Sequence, residues 1–375
     1  MKDKIISFLL TSILIAMLAT IGYIGYMVYT EITKEGTIEL HFESDTGFPT
    51  IEYIPHKYDS IETLIDESIF SGVEGTTITT ATNANQKQSR YLYQQLDDVA
   101  KIFYNKLYEN KENLKTGTYK VDFGNTFQHL LSQEGGDIEL KQQYQSAIEA
   151  LIYENPDIFY LDVTKMYINI EKITKITGTK YNVYIDSGNE ISYLTDGFYS
   201  KEDIEEYEAQ IEQVKNAIIA NIEGKSNYEK IKIIHDYLID TIEYEKNLEI
   251  DNVYDIFGAL VAKKCVCEGY AKAFQYLLNE IGIENTIVIG TGTNSKHQTE
   301  SHAWNYMKLE ENWYAVDVTW DDPIITGGGK LTKKARYEYF LKGSNKMNKN
   351  HYPSGKFTQG GQVFTYPELS VEDYK

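Results

Sequence analysis

Lys264-Cys265-Val266-Cys267-Glu268-Gly269-Tyr270-Ala271-Lys272-Ala273-Phe274 runs from a turn into a helix and carries both cysteines of the chain. After Cys267 the apolar residues Ala271, Phe274, Leu278 and Ile281 step by three, four and three, and Tyr270, Ala273 and Leu277 repeat the pattern beside them. That spacing predicts a core helix with a broad buried face. Gly282 stands where a C-terminal cap belongs, and the apolar pattern begins only after Gly269. Cys267 therefore falls in or just before the first turn. Unpaired backbone N–H groups and the positive end of the helix dipole collect there, which predicts a lowered thiol pKa and a place to hold a developing oxyanion.

A thiolate nucleophile needs a base. Downstream, Ser301-His302-Ala303-Trp304-Asn305-Tyr306-Met307-Lys308-Leu309 and Trp313-Tyr314-Ala315-Val316-Asp317-Val318-Thr319-Trp320 flank Glu310-Glu311-Asn312 and read as a hairpin. With a two-residue turn at Glu310-Glu311, His302 lies opposite Thr319 and Asp317 is its diagonal neighbour on the same face. Diagonal Cβ atoms are roughly 7–8 Å apart, a gap long polar side chains bridge, so Asp317 is placed to orient the His302 ring. A regular three-residue loop would put the two on opposite faces.

These segments resemble the transglutaminase-like cysteine enzyme superfamily. Cys267-Glu268-Gly269-Tyr270-Ala271 is similar to the family's nucleophile segment, His302-Ala303-Trp304-Asn305 to its His strand, and Trp313 through Pro323 to its Asp strand. The resemblance implies Cys267 as nucleophile, His302 as base and Asp317 as the orienting acid. Where bacterial members commonly have Gly two residues before the nucleophile, this chain has Cys265. The motif-level resemblance spans about Lys201 to Lys375, including a C-terminal segment from Arg336 through His351-Tyr352.

The chain has 375 residues, enough for a substantial core and a second folded unit. Met1-Lys2-Asp3-Lys4 precedes a charge-free run from Ile5 to Tyr29, which as a helix spans roughly 37 Å, enough to cross a bilayer. The run is a membrane span or a signal peptide; it is long for a signal peptide's apolar region and no small-x-small cleavage site follows Ala19, so an uncleaved anchor over residues 1–30 is the favoured expectation. Lys2 and Lys4 before the span, and Glu31, Glu35 and Glu39 after it, place the N-terminus in the cytoplasm and the rest outside. This makes a single-pass protein of the cell membrane.

A Cys265–Cys267 disulfide would close a strained ring, and the alternative role of either thiol is that of a small buried apolar residue. The net charge of -20 argues against nucleic acid and against a basic membrane-binding patch. No segment has calcium-loop or zinc spacing, so no metal and no cofactor are expected.

Residues 31–89 read as a juxtamembrane segment and linker, with a strand near Thr37 to Phe42 and a polar stretch from Ser71 to Ser89. An upstream α+β region covers 90–200. Helices are expected from Gln88 through Leu107 and over Lys141 to Tyr153, and strands at Ile158 to Val163 and Tyr181 to Ile185. In the domain assigned to 201–375, a helix covers Lys201 to Ile222 and Ser226-Asn227-Tyr228-Glu229 opens the next as a capping box. His235 on that helix reads as structural, His297 as a solvated loop residue, and His351 as structural or an alternative base. The fold expected is α+β with a papain-like, transglutaminase-like core, a cysteine-bearing helix start against an antiparallel sheet.

The chemistry implied is extracytoplasmic acyl transfer on protein or peptide amides, either cross-linking or hydrolysis, with a cell-wall peptide among the candidate substrates. The alternative is an inactive cell-surface or wall-binding module with the same fold.

Overall fold

Why Cys267 starts a helix is settled by the residues on either side of it. Val266 is extended, with φ -100° and ψ -178°, and the helix runs Cys267–Glu280. It ends as the glycine foretells. Gly282 takes φ +71°, its N–H bonds Asn279 O, and Ile283 N–H reaches back to Leu278 O, closing a Schellman turn.

The computed structural model describes residues 35–40, 90–175, 178–248, 250–295, 297–323, 332, 334–358 and 360–375. The run Ile5 to Tyr29, the linker Ser71 to Ser89 and the turn at Gly327-Gly328-Gly329-Lys330 lie outside them. Among the described residues no helix is long and apolar enough to cross a membrane.

In chain order the strands are β1 Glu35–Leu40, β2 Val121–Gly124, β3 Tyr167–Lys175, β4 Gly178–Asp186, β5 Glu243–Tyr244, β6 Lys264–Cys265, β7 Asn285–Thr293, β8 Thr299–Leu309, β9 Asn312–Val316 and β10 His351–Pro353. The long helices are α1 Asp98–Glu109, α2 Gly136–Glu154, α3 Lys201–Ile222, α4 Asn227–Thr241 and α5 Cys267–Glu280. Two antiparallel sheets result, ordered β1-β3-β4-β2 and β10-β7-β8-β9. The short β5 and β6 pair in parallel just before the nucleophile helix.

The upstream region departs from expectation in three places. The first helix begins at Asp98, because the Leu92 and Tyr93 N–H groups donate to the buried Glu154 carboxylate and Leu96 and Asp97 are extended. The segment Ile158 to Val163 is buried but is not a strand. It makes one bridge, Leu161 to Leu194, and then turns where Asp162 accepts the Thr164 N–H. No strand is expected over Tyr167–Lys175, yet β3 forms there as the long partner of β4.

The core follows the sequence more closely. Helix α3 opens on Ser200, whose side chain accepts from Asp203 N–H. Helix α4 opens on the reciprocal Ser226/Glu229 capping box. Its inward face buries Ile231, Ile234, His235 and Leu238. Helix α5 is bound to the second sheet by Asn305 Nδ2, which donates to Ala271 O at 3.0 Å.

The glycines close the packing. A Cβ on Gly269 would lie 2.5 Å from Cys265 Cβ and 2.8 Å from Val253 O, so the first turn of α5 sits directly on the Cys265 side chain. A Cβ on Gly290 would meet Tyr352 O at 2.2 Å and the Trp304 ring at 2.9 Å. Bare backbone there lets β10 approach β7.

Candidate active site

The β8–β9 hairpin keeps the two-residue turn. Asn305 pairs with Val316, Tyr306 with Ala315 and Leu309 with Asn312. The ladder stops at Val316, however, so Asp317 does not continue the strand toward Trp320. It begins a turn in which its Oδ1 accepts the Trp320 N–H at 3.1 Å. Freed from the ladder, its other oxygen reaches His302: Nε2 and Asp317 Oδ2 are 2.7 Å apart, and both residues are fully buried.

The His302 ring is held between two indoles. Trp304 and Trp320 lie near-parallel to it, with centroids 5.7 and 5.2 Å away. These tryptophans therefore line the imidazole.

A third side chain joins that the hairpin pattern cannot place. His351 Nε2 is 2.9 Å from the same Asp317 Oδ2. It arrives on β10, which adds to the free edge of β7 and pairs His351 with Gly292. Burial raises the Asp317 pKa, but the two histidines more than reverse this and hold the carboxyl well below the usual range. Burial lowers His351, against the opposing pull of Asp317. Turned onto Asp317, His351 is not positioned as a stand-in base.

Cys267 occupies the first position of α5, and its sulfur faces the backbone N–H groups of Ala303 and Glu268. This sets the thiol against the residue next to His302. The expectation of a lowered thiol pKa is not met. Cys267 is fully buried, and loss of solvent pushes its pKa well up despite those two donors. The helix start supplies N–H groups, but desolvation outweighs them. Cys265 is likewise buried, free and raised by burial.

The other histidines sort as expected. His235 is buried, with Nε2 3.0 Å from Asp321 Oδ2 and Nδ1 3.2 Å from Asp236 Oδ1. His297 is exposed on the short β7–β8 loop. Among the described residues, His302, Asp317 and His351 form the group with metal-ligand side chains, their ligand atoms within 4.8 Å of one another. Hydrogen bonding through the one carboxylate oxygen already accounts for that closeness.

A cysteine at a helix start, set against an antiparallel sheet that carries a His–Asp pair, defines a transglutaminase-like or cysteine-protease-like α+β fold. Residues 213–318 match the transglutaminase-like superfamily. It is similar to the kyphoscoliosis peptidase of Mus musculus, 26% identical over 174 residues, which cover 42% of this chain and 26% of that protein. The kyphoscoliosis peptidase of Homo sapiens is 28% identical over 148 residues, covering 36% and 22%. The chain thus spans about a quarter of the length of these curated relatives. A solved structure described as that of a TGase is 17% identical, with 43% of this chain and 46% of that chain covered and a TM-score of 0.29.

Proposed function

We propose that the chain is a membrane-anchored, extracytoplasmic cysteine acyltransferase or protease that works on protein or peptide amides through Cys267, His302 and Asp317. The observation that carries this reading is the convergence of three elements. The α5 start brings the Cys267 sulfur to the Ala303 N–H, and the residue before Ala303, His302, is bonded to Asp317 at 2.7 Å.

The mechanism follows from which atoms are engaged. His302 gives its Nε2–H to Asp317, which assigns the base role to Nδ1. Because burial keeps Cys267 a thiol, its proton passes to His302 as the sulfur attacks the amide carbonyl, and no resident ion pair is required. The imidazolium, stabilised by Asp317, then protonates the leaving nitrogen. The Cys267 backbone N–H at the helix start helps hold the oxyanion. Water or an amine resolves the thioester, giving hydrolysis or cross-linking. The anchor is the Ile5 to Tyr29 run, with Lys2 and Lys4 on the cytoplasmic side.

The second reading, an inactive surface- or wall-binding module, has one observation in its favour: the Cys267 thiol is 0% exposed. Alkylation of each thiol against pH, read by mass spectrometry on the full chain in detergent, separates the two. The enzyme reading expects Cys267 to react faster than Cys265 and His302→Ala to change its pH profile. Slow reaction at both thiols with no effect of His302→Ala supports the binding module.

A further inference from the structure

A second buried pair of histidine and carboxylate lies behind the first. His235 on α4 and Asp321 are both fully buried, and His235 Nε2 is 3.0 Å from Asp321 Oδ2. The other ring nitrogen is 3.2 Å from Asp236 Oδ1, and Asp236 is itself paired with Lys232 at 2.5 Å. With both nitrogens engaged, His235 has none to offer a reacting group.

The second oxygen of Asp321 leads to the site. Oδ1 accepts the Tyr339 N–H at 2.8 Å. The Tyr339 carbonyl accepts the Asp317 N–H at 3.1 Å, and the Asp317 carbonyl accepts the Asp321 N–H at 3.1 Å. These three bonds close a ring through Asp317, Tyr339 and Asp321. Because β9 ends at Val316, the ring takes over the Asp317 backbone where the ladder leaves it. The Tyr339 side chain adds a further hold. Its ring lies edge-on to Trp320 with centroids 5.3 Å apart, and 5.2 Å from the His351 ring, while its hydroxyl accepts the Asn350 amide N–H at 2.7 Å. Tyr339 thus packs against the indole beside His302 and against the histidine that shares Asp317.

Stability alone does not account for such a pair. Burying charge-bearing groups carries a desolvation penalty, and apolar replacements of similar volume are often neutral or stabilising. What the pair supplies is fixed geometry, and a misplacement of about 1 Å in a catalytic constellation costs on the order of a hundredfold in rate. We propose that Asp321 and His235 are positioning residues for the acyl-transfer site: His235 holds Asp321, Asp321 fixes the Tyr339 backbone, and Tyr339 aims Asp317 at His302. Their use rests on the Cys267, His302 and Asp317 reading, but the bond they control is observable without turnover.

The test takes two readouts on the full chain in detergent. One is the pH profile of Cys267 alkylation by iodoacetamide. The other is the low-field proton resonance of His302 Nε2–H, assigned by its loss in His302→Ala. Asp321→Ala removes the acceptor from the Tyr339 N–H and should slow alkylation about tenfold, displace its profile and shift the resonance. Asp321→Asn keeps an oxygen for Tyr339 and presents an N–H to His235, and should restore the rate to within about threefold of wild type. Should Asp321→Ala fail to fold, the double variant His235→Leu, Asp321→Leu replaces the pair by apolar groups and should show the same slowing and shift. An unmoved resonance in a folded alanine or double-leucine variant overturns the proposal, as does an asparagine variant that shifts it as far as alanine does. So does a moved resonance with a wild-type labelling profile, where His302→Ala alters that profile. A resonance that moves in a chain whose Cys267 alkylation ignores His302 leaves the positioning standing and removes only the acyl-transfer reading.

Discussion

His351 Nε2 lies 2.9 Å from Asp317 Oδ2, the oxygen that His302 also uses. One carboxylate oxygen thus takes two N–H donors in a site closed to water, which fixes the orientation of Asp317 before His302 is considered. On its other side His351 Nδ1 lies 2.9 Å from Asn350 Oδ1, and the Asn350 amide N–H donates to the Tyr339 hydroxyl at 2.7 Å, so the ring is held at both nitrogens. His351 is a positioning residue in this arrangement.

His351→Gln keeps an N–H for Asp317 and should hold the Cys267 alkylation rate within about threefold of wild type. His351→Leu removes the donor and should slow alkylation about tenfold, with the pH profile displaced. The rate of iodoacetamide labelling between pH 6 and 10 reads this. A leucine variant that labels with an unchanged profile would mean that His351 merely packs.

Two carboxylates bracket His235 and favour the protonated form of its buried ring. Burial lowers its pKa, but Asp236 and Asp321 outweigh this and raise it above the ordinary histidine value of 6.5. A histidine raised in the folded state contributes stability that is complete below the unfolded pKa and is lost as pH rises through the folded one. The stability difference between wild type and His235→Gln should therefore be largest at pH 6 and shrink on the alkaline side. Urea unfolding of both proteins from pH 6 to 9 measures it, and a difference that grows with pH contradicts the imidazolium.

Glu149 shows the opposite chemistry in a carboxylate. It sits on α2 where the C-terminal segment crosses, accepting from Gln145 Nε2 at 3.0 Å and from the Thr358 hydroxyl. Burial raises its pKa from 4.5 to about 7. The proton is bound more tightly in the folded state, so the group's stability is fully present below pH 4.5 and is lost as pH rises to about 7. Glu149→Gln should stabilise the protein at pH 8 by on the order of 3 kcal/mol and leave it little changed at pH 4.5. Thermal melts at the two pH values decide it: equal shifts at both would show that charge plays no part.

What the sequence made legible is local. The helix after Cys267, its glycine stop, the capping box at Ser226 and the hairpin turn at Glu310-Glu311 each depend on neighbours within a few residues, and each has the expected form. The meeting of His302 with Asp317 follows from that turn, although the strand ends one residue before Asp317 and a turn, not the pleat, delivers the carboxylate. The rest depends on distant pairing. His351 enters because a three-residue strand finds the edge of β7, and nothing in its own neighbours encodes that. The apolar run Ile158 to Val163 was expected to form a strand because burial and strand pattern look alike in a short window. The Cys267 thiol departs for the same kind of reason: the helix start is visible in sequence, but the depth of burial that overrides it is not.

Gly269 lets the nucleophile helix begin where it does. Its absent Cβ would lie 2.5 Å from Cys265 Cβ and 2.8 Å from Val253 O, and Val253 O also accepts the Val266 N–H at 3.0 Å just ahead of the helix. Neither neighbour is the free end of a flexible side chain, so Gly269→Ala must move backbone. The helix start would shift against β8, and with it the Cys267 sulfur against the Ala303 N–H. Overpacking of this kind costs about 1–3 kcal/mol, which for a protein of this size is a fall of several degrees in Tm. Cys267 labelling should also fall more than the stability loss explains, because the thiol sits two residues from the displaced atom. Shortening the neighbour with Cys265→Gly relieves only one of the two contacts, so the double variant should recover part of the Tm. Full recovery would assign the whole strain to Cys265, and no recovery would assign it to the Val253 carbonyl.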